Sequence, residues 1–422
     1  MPNAFSKEER VAFETLLEGF QDALVLSKAV ATFNTDSQTM ERARDTIWRP
    51  QPYIAQSFDS TVGTSISSNY DDMVQLSVPA TLGFSKTAAW KLNAKELRDA
   101  LQEGRLGDAA KQKLASDINV AVMNVAATQG TLVVATAGAA GDYDDVALCD
   151  TIMNEQGVPN YDRYLALSSR DYNGLAGNLA ASTRSFGNAK SDKAYERSYV
   201  GMVAGFETYK LDYAQRITAK AGSATIATNG AQVRFVPAAT TNSVAGKLNV
   251  DNRFQQVTVS STTGVVAGDA FTVAGIEAVH HITKSSTGQL KTFRVISVDS
   301  GTTMTISPPM IGANSSPTDA ELSYKNINVA STSATAAIVF LNQNATSINP
   351  FWQKDAIEIL PGRYAVPGDA GVAVMRAATD QGIELVMQKF YDIDTMTTKY
   401  RLDTLFGVVN KQPQMSGVLL FN

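Results

Sequence analysis

Side chains able to do chemistry are few in this chain, and they are scattered. His280 and His281 are the only two histidines among 422 residues. Neighbours on a strand point to opposite faces, so the pair cannot share one metal, and no CxxC or HxxxH companion exists. Cys149 is the single cysteine, which forbids an internal disulfide and suits a reducing compartment. Asp142, Asp144, Asp145 and Asp150 crowd one stretch. A calcium loop would need the EF-hand glycine and a distant bidentate Glu, which this stretch lacks. Carboxylates at the positive end of a helix dipole are the favoured reading. No GxSxG elbow is present, and no histidine lies outside 223–345. The glycine pairs at 138–141 (GAAG) and 174–177 (GLAG) extend neither to GxGxxG nor to a P-loop, so turn and helix-end roles are expected. Trp48, Trp90 and Trp352 read as packing anchors. The chain is therefore read as no enzyme, with no cofactor and no metal.

The elements that would have to position an active site are themselves clear. Residues 6–31 predict an amphipathic helix with Ser6 as N-cap, Glu8 and Glu9 in the first turn, and Val11, Leu16, Phe20, Leu24 and Val25 as an apolar stripe. Glu14 and Glu18, four apart, share another face. Residues 53–90 read as an extended hairpin excursion with little core of its own. Residues 93–127 form the strongest helical pattern, with Asn93 and Glu96 spaced as a capping box and Gly130 as its stop. Residues 131–136 then read as a buried strand. Helices and strands alternate to 222, with a helix over 145–156, a strand over 164–167 and a helix running from Ser168 or Ser169 to Leu179.

Residues 223–345 differ from what surrounds them. They carry 13 charged side chains among 123, about half the charge density of the rest. They are rich in Thr, Ser, Val, Ala and Gly and alternate with period two. Strands are expected at 232–236, 254–261, 270–276, 292–298, 303–307 and 324–329, with a hairpin turn at Asp299-Ser300-Gly301. Several short strands at this spacing suggest a small barrel. The whole is an α+β body carrying an inserted all-β module.

Composition narrows the functional classes. A chain of this length exceeds one core. A net charge of −5 and a pI near 5.3 leave no electrostatic footprint for nucleic acid at the level of the whole chain. Residues 1–20 are too charged for a signal peptide, and no window approaches a membrane span. A soluble protein folding in a cytoplasm is expected.

Ordered short motifs add a resemblance. They are Thr46-Ile47-Trp48 with Pro50, Glu96-Leu97-Arg98-Asp99, Ser185-Phe186-Gly187 and Val203-Ala204-Gly205-Phe206. In the insert come Asn249-Val250-Asp251-Asn252-Arg253-Phe254, Thr262-Thr263-Gly264 and Gly268-Asp269. Phe351-Trp352 and Asp355-Ala356-Ile357 follow. Each is weak alone, but the series is specific. On these residues the chain resembles the P22-like coat proteins, major capsid proteins of the HK97-like fold with an inserted I-domain.

The resemblance implies an N-arm (1–34), the start of the P-domain (35–52), an E-loop (53–90) and the P-domain spine helix (91–130). It then implies A-domain with P-domain sheet (131–222), a six-stranded I-domain barrel (223–345) and a return to P-domain and A-domain (346–422). It implies a tailed double-stranded DNA phage shell, usually T=7. Such a shell assembles first as a procapsid with scaffolding protein in the host cytoplasm, then expands as DNA enters through a portal protein. Partners would be further copies of the chain in hexamers and pentamers, scaffolding, portal and packaged DNA held without sequence specificity, with no membrane. Glu14 and Glu18 match acidic N-arm positions that meet a basic scaffolding surface in related proteins. The D-loop stretch 237–249, with Lys247 and the nearby Asp251 and Arg253, would carry any contact between capsomers. It is short, and Lys247 is its one charge. The alternative is a β-barrel carbohydrate-binding or adhesin-like virion protein, which requires aromatic residues on barrel loops. The insert offers Phe235, Phe254, Phe271, Phe293, Phe340 and Tyr324.

Overall fold

A computed structural model describes the chain except for residues 1–4, 6, 34–45, 53–56, 58, 60, 64, 68, 69, 71, 94–99, 140, 141, 182–188, 221–223, 228–231, 244, 245, 314, 331–334 and 367–370. Ser6, Glu96-Leu97-Arg98-Asp99 and Ser185-Phe186-Gly187 lie outside the described residues, as does part of 53–90. The chain forms two compact units: Met1–Ile47, Pro79–Asn124 and Ile357–Val409 make the first, and Trp48–Val78, Val125–Ala356 and Asn410–Asn422 the second.

In the first unit the N-terminal helix spans Lys7–Ala23. Phe13, Leu16, Phe20 and Leu24 are buried, whereas Val11 and Val25 of the expected stripe are exposed. At 100° per residue Val11 falls outside the arc that Phe13, Leu16 and Phe20 define, and Val25 follows the helix end. A sheet runs Ala31–Thr32, Ile357–Pro361, Thr397–Asn410, Glu384–Asp392, Ala373–Ala378, with Phe84–Asn93 also paired to Thr397–Asn410. The hairpin excursion expected over 53–90 falls partly outside the described residues. Ser77–Thr81 pairs with Thr46–Pro50, while Phe84–Asn93 pairs antiparallel with a strand three hundred residues away, Trp90 opposite Tyr400. Asn93 is the last residue of that strand, and Glu96, its partner in the expected capping box, lies outside the described residues.

The long helix spans Ala100–Gln129 and stops at Gly130, as expected. A side chain at Gly130 would meet the backbone of Gly417 at 3.0 Å, so the two glycines let helix end and strand close together. The body sheet of the second unit has the order Leu132–Thr136, Ser416–Phe421, Asn349–Gln353, Arg163–Ser168, Phe206–Leu211, Met202–Val203. Its period-two alternation divides two cores. Leu132, Val134 and Leu419 pack with Val146, Cys149, Met153 and Leu175 of helices Tyr143–Glu155 and Ser169–Ala181. Val133, Val418 and Leu420 face Ala127, Ile217, Ile348 and Ala270. Gly174 and Gly177 sit inside helix Ser169–Ala181 and not at a turn.

The insert is a nearly closed barrel. Its order is Ala224–Ala227, Thr335–Phe340, Ala270–Val279, Ser286–Val298, Thr303–Ser307, Gln255–Thr258, with Ile327–Val329 as a seventh strand on Ala270–Val279. An Ile226–Val259 bridge brings the first and last strands of the path together. Residues 232–236 make only an isolated Arg234–Ile311 bridge, and the expected strand over 324–329 starts instead with helix Asp319–Tyr324. Thr318 caps that helix, with its hydroxyl accepting the Glu321 N–H at 3.2 Å and the Glu321 carboxylate accepting the Thr318 N–H at 2.8 Å. The local cap therefore outweighs a weak strand signal. Phe271, Phe293 and Phe340 fill the barrel core, the first two stacked at 5.6 Å. The insert's entry and exit run side by side, since Thr346–Ser347 pairs with Arg216–Ile217 and the Lys220 N–H donates to the Asn342 carbonyl at 2.8 Å.

Candidate functional site

No catalytic grouping forms among the described residues, and no cluster of three or more His, Cys, Asp or Glu could hold a metal. The two histidines lie not on a strand but in the turn after Ala270–Val279. Cys149 is fully buried, and burial pushes its thiol pKa up, with Asp145 and Asp150 adding to the effect. That is the opposite of a reactive thiolate. The acidic cluster divides by role. Asp142 precedes helix Tyr143–Glu155, and its N–H donates to the Asp145 carboxylate at 3.4 Å, as the capping reading expects. Asp150 instead pairs with the buried guanidinium of Arg163, which also donates to Asn154 at 2.8 Å and to the Val158 carbonyl at 2.7 Å. An open groove of about 460 Å³ in the first unit is lined by Trp90, Phe390, Tyr400 and the stems of Lys91 and Lys399. Its lining includes no carboxylate, histidine, serine or cysteine.

The N-terminal helix presents a face rather than a pocket. Glu14 and Glu18 are both exposed, opposite Phe13, Leu16 and Phe20. Glu9 anchors the helix through an ion pair with Lys389 and a hydrogen bond from the Tyr400 hydroxyl at 3.2 Å. Asn119 of the long helix finishes the job: its amide donates to the terminal Ala23 carbonyl at 3.1 Å and accepts the Leu26 N–H at 3.2 Å. The acidic pair is thus held on a fixed support.

A second projection is the hairpin Thr240–Ser243 with Gly246–Asn249. Lys247 stands exposed on it, opposite Asn242. Asp251 and Arg253 turn inward at its base. Arg253 donates to both Asp251 oxygens, at 3.0 and 2.8 Å, and to the Asn410 carbonyl at 2.9 Å. Asn252 ties both feet together, donating to the carbonyls of Ala238 and Val250 and accepting the Ala238 N–H at 3.1 Å. Asn252 had no sequence signal beyond its place between Asp251 and Arg253.

The residues that sequence reasoning missed lie at the root of the barrel. Strand Ser286–Val298 points Phe293 and Val295 into the barrel core. Thr292 and Arg294 alternate onto the opposite face, where Thr292 donates to the Thr131 carbonyl at 2.8 Å and Arg294 to the Ala127 carbonyl at 3.0 Å. Lys291 donates to the amide oxygens of Gln156 and Gln414, at 2.8 and 2.9 Å. Two buried cations therefore meet the C-terminal ends of two body helices, where the dipole favours positive charge. Burial lowers the Arg294 pKa to about 10, against a smaller upward pull from Asp269, and lowers that of Lys291 to about 7. Asp269 is itself buried, which raises its pKa although Val266 and Asn342 donate to it at 2.9 Å. A usable signal existed: Lys-Thr-Phe-Arg inside a module otherwise poor in charge.

Four of the six aromatic residues of 223–345 are spent on packing, and Phe235 and Phe254 are half-buried. Phe271, Phe293 and Phe340 are core, and Tyr324 is buried and receives the Leu76 N–H at 3.2 Å. The chain is thus an α+β protein of two units carrying a rooted barrel insert, and among the described residues it presents surfaces rather than a catalytic grouping. A sequence model for the P22 coat protein, gene protein 5, matches residues 1–422, and the chain belongs to that family. It is a major capsid protein of a tailed phage, with the HK97-like fold and an inserted I-domain.

Solved structures resemble it as well. A "CUS-3 coat protein I-domain" is 40% identical over 29% of this chain and 99% of that one, with a TM-score of 0.23. A chain of "Mycobacterium phage Che8" is 11% identical, covering 94% of this chain and 91% of that one, with a TM-score of 0.42. A capsid chain of cyanophage P-SCSP1u is 10% identical, covering 93% and 86%, with a TM-score of 0.43. Among the described residues no helix is long and apolar enough to cross a membrane.

Proposed function

We propose that this coat subunit assembles with a scaffolding protein into a T=7 procapsid in the host cytoplasm and expands as double-stranded DNA is packaged through a portal. The family match over the whole chain carries the reading. Residues 1–34 then serve as N-arm, 53–90 as E-loop, 91–130 as spine helix and 223–345 as I-domain. Glu14 and Glu18 receive a basic scaffolding helix. The firmly rooted hairpin offers Lys247 to a neighbouring capsomer, with Asp251 and Arg253 bracing its base. An acidic chain suits the wall of a DNA container, because a tight grip on phosphate needs stripes of Lys and Arg. Weak contacts repeated around a closed shell give stability while leaving room for error correction. The test is electron microscopy and sedimentation of the subunit expressed with and without its scaffolding protein. Closed shells of one size are expected with the partner, and aberrant or open particles without it. Only monomers and dimers in both cases would reject the reading.

A further inference from the structure

The chain's two histidines both sit where the barrel meets the body. The turn that holds them, between strands Ala270–Val279 and Ser286–Val298, closes through the Lys284 N–H on the His280 carbonyl and the His280 N–H on the Ser285 carbonyl, each at 2.9 Å. Inside it, His280 Nδ1 accepts the N–H groups of both Ile282 and Thr283 at 3.2 Å. An acceptor nitrogen carries no proton, so the neutral ring is fixed as the Nε2–H tautomer. The same ring packs against Gly157, so closely that a side chain there would meet it at 2.8 Å. The next residue donates its N–H to the Gln156 carbonyl at 3.0 Å. His281 Nε2 is buried without a hydrogen-bond partner. The turn thus clips onto the end of body helix Tyr143–Glu155 through two imidazoles that are both neutral in this arrangement.

We propose that the turn 280–285 is an acid-released latch between the barrel insert and the body. Protonation of His280 at Nδ1 removes the acceptor for two backbone N–H groups, and protonation of His281 places a charge among cations. The charged groups facing the turn are Lys284 within it, Lys291 on the next strand and Arg253, which lines a small cavity with His281. Lys284 also reaches the Lys325 carbonyl at 3.3 Å. The neighbouring carboxylates are already engaged, Asp251 by Arg253 and Glu277 by Ser286 and Asn328. A helix C-terminus ordinarily welcomes an imidazolium, but Lys291 and Arg294 already occupy that field. Burial, then Lys284 and Lys291, hold the His281 pKa down to about 4. Its contribution is complete above the unfolded histidine pKa of about 6.5 and is lost as pH falls toward the folded value.

The experiment follows backbone amide exchange in the full-length subunit, corrected for intrinsic rates, from about pH 7.5 to about pH 5. Protection at 281–284 and 156–158 should fall at least tenfold, while amides of strand Thr303–Ser307 in the barrel keep theirs. His280→Asn keeps a side-chain acceptor and cannot titrate, and His281→Leu removes the buried nitrogen. The double variant should match the wild type at neutral pH and lose the acid response. An undiminished acid response in that variant, or unchanged wild-type protection at the lower pH, overturns the proposal. Should the variant fail to fold, imidazole nitrogen NMR of the wild type decides. His280 as the Nε2–H tautomer at neutral pH supports the latch, and the Nδ1–H tautomer overturns it.

Discussion

At Lys291 the insert buries an ammonium whose acceptors are neutral amide oxygens, those of Gln156 and Gln414. Its pKa falls to about 7 in the folded state, against about 10.4 for an unfolded lysine. Between those values the unfolded chain binds a proton that the native chain has lost, so stability rises with pH. Lys284, pushed down to about 8 by burial, adds to the same window. Lys291→Met should therefore reduce the gain in stability between about pH 7.5 and about pH 9.5 by about 1–3 kcal/mol, read from denaturant midpoints. An equal gain in the variant would show that Lys291 keeps an ordinary proton. Ala204 poses a backbone question. With φ of +46°, beside Gly205 at +81°, it forms the two-residue turn between Met202–Val203 and Phe206–Leu211. Such turns prefer Asn-Gly, and a left-handed Ala costs about 1–2 kcal/mol. Ala204 borders a cavity of about 270 Å³, so Asn has room. Ala204→Asn should raise the urea midpoint with an unchanged slope, and a lowered midpoint would refute this account.

At the scale of elements, the N-terminal helix separates anchoring from presentation. Glu9, Phe13, Leu16 and Phe20 fasten it, while Glu14 and Glu18 remain exposed. Reversing the exposed pair by Glu14→Lys and Glu18→Lys should leave the fold intact, since surface charges contribute about 0–1 kcal/mol each. Scaffolding that co-sediments with shells should drop at low salt. The difference should fade toward about 1 M salt, where the Debye length is about 3 Å. Equal scaffolding content at low salt would mark these carboxylates as plain surface. The helices at 7–23, 143–155 and 169–181 were legible because apolar spacing and capping are local. The pairing of Phe84–Asn93 with Thr397–Asn410 was not, because strand alternation says which face is buried and nothing about the partner.

At the scale of the molecule, the barrel has its own core, and its root is polar: Lys291, Thr292, Arg294 and Asp269. Released from the body, those groups gain water instead of exposing an apolar scar. Residues 223–345 expressed alone should fold as a soluble β-domain by circular dichroism, and Lys291 should titrate in the ordinary lysine range by NMR. A random-coil spectrum would show that the barrel borrows its stability from the body. A depressed Lys291 in a folded fragment would place the cause inside the barrel.

The sequence by itself determined that a β-module interrupts an α+β body and which family the ordered motifs resemble. Those properties depend on composition, period and order, all of them local or additive. Tertiary structure alone decided that Arg163 is buried on Asp150, that Asp251 and Arg253 pair at the hairpin base, and that the histidines clip the barrel to a helix end. It also decided that two cations lie buried beneath the barrel. A charge in a sequence predicts a surface because desolvation is costly. Only the folded chain brings the helix ends and amide oxygens of distant segments close enough to offset part of that cost, and the lowered pKa values of both buried cations reflect the remainder.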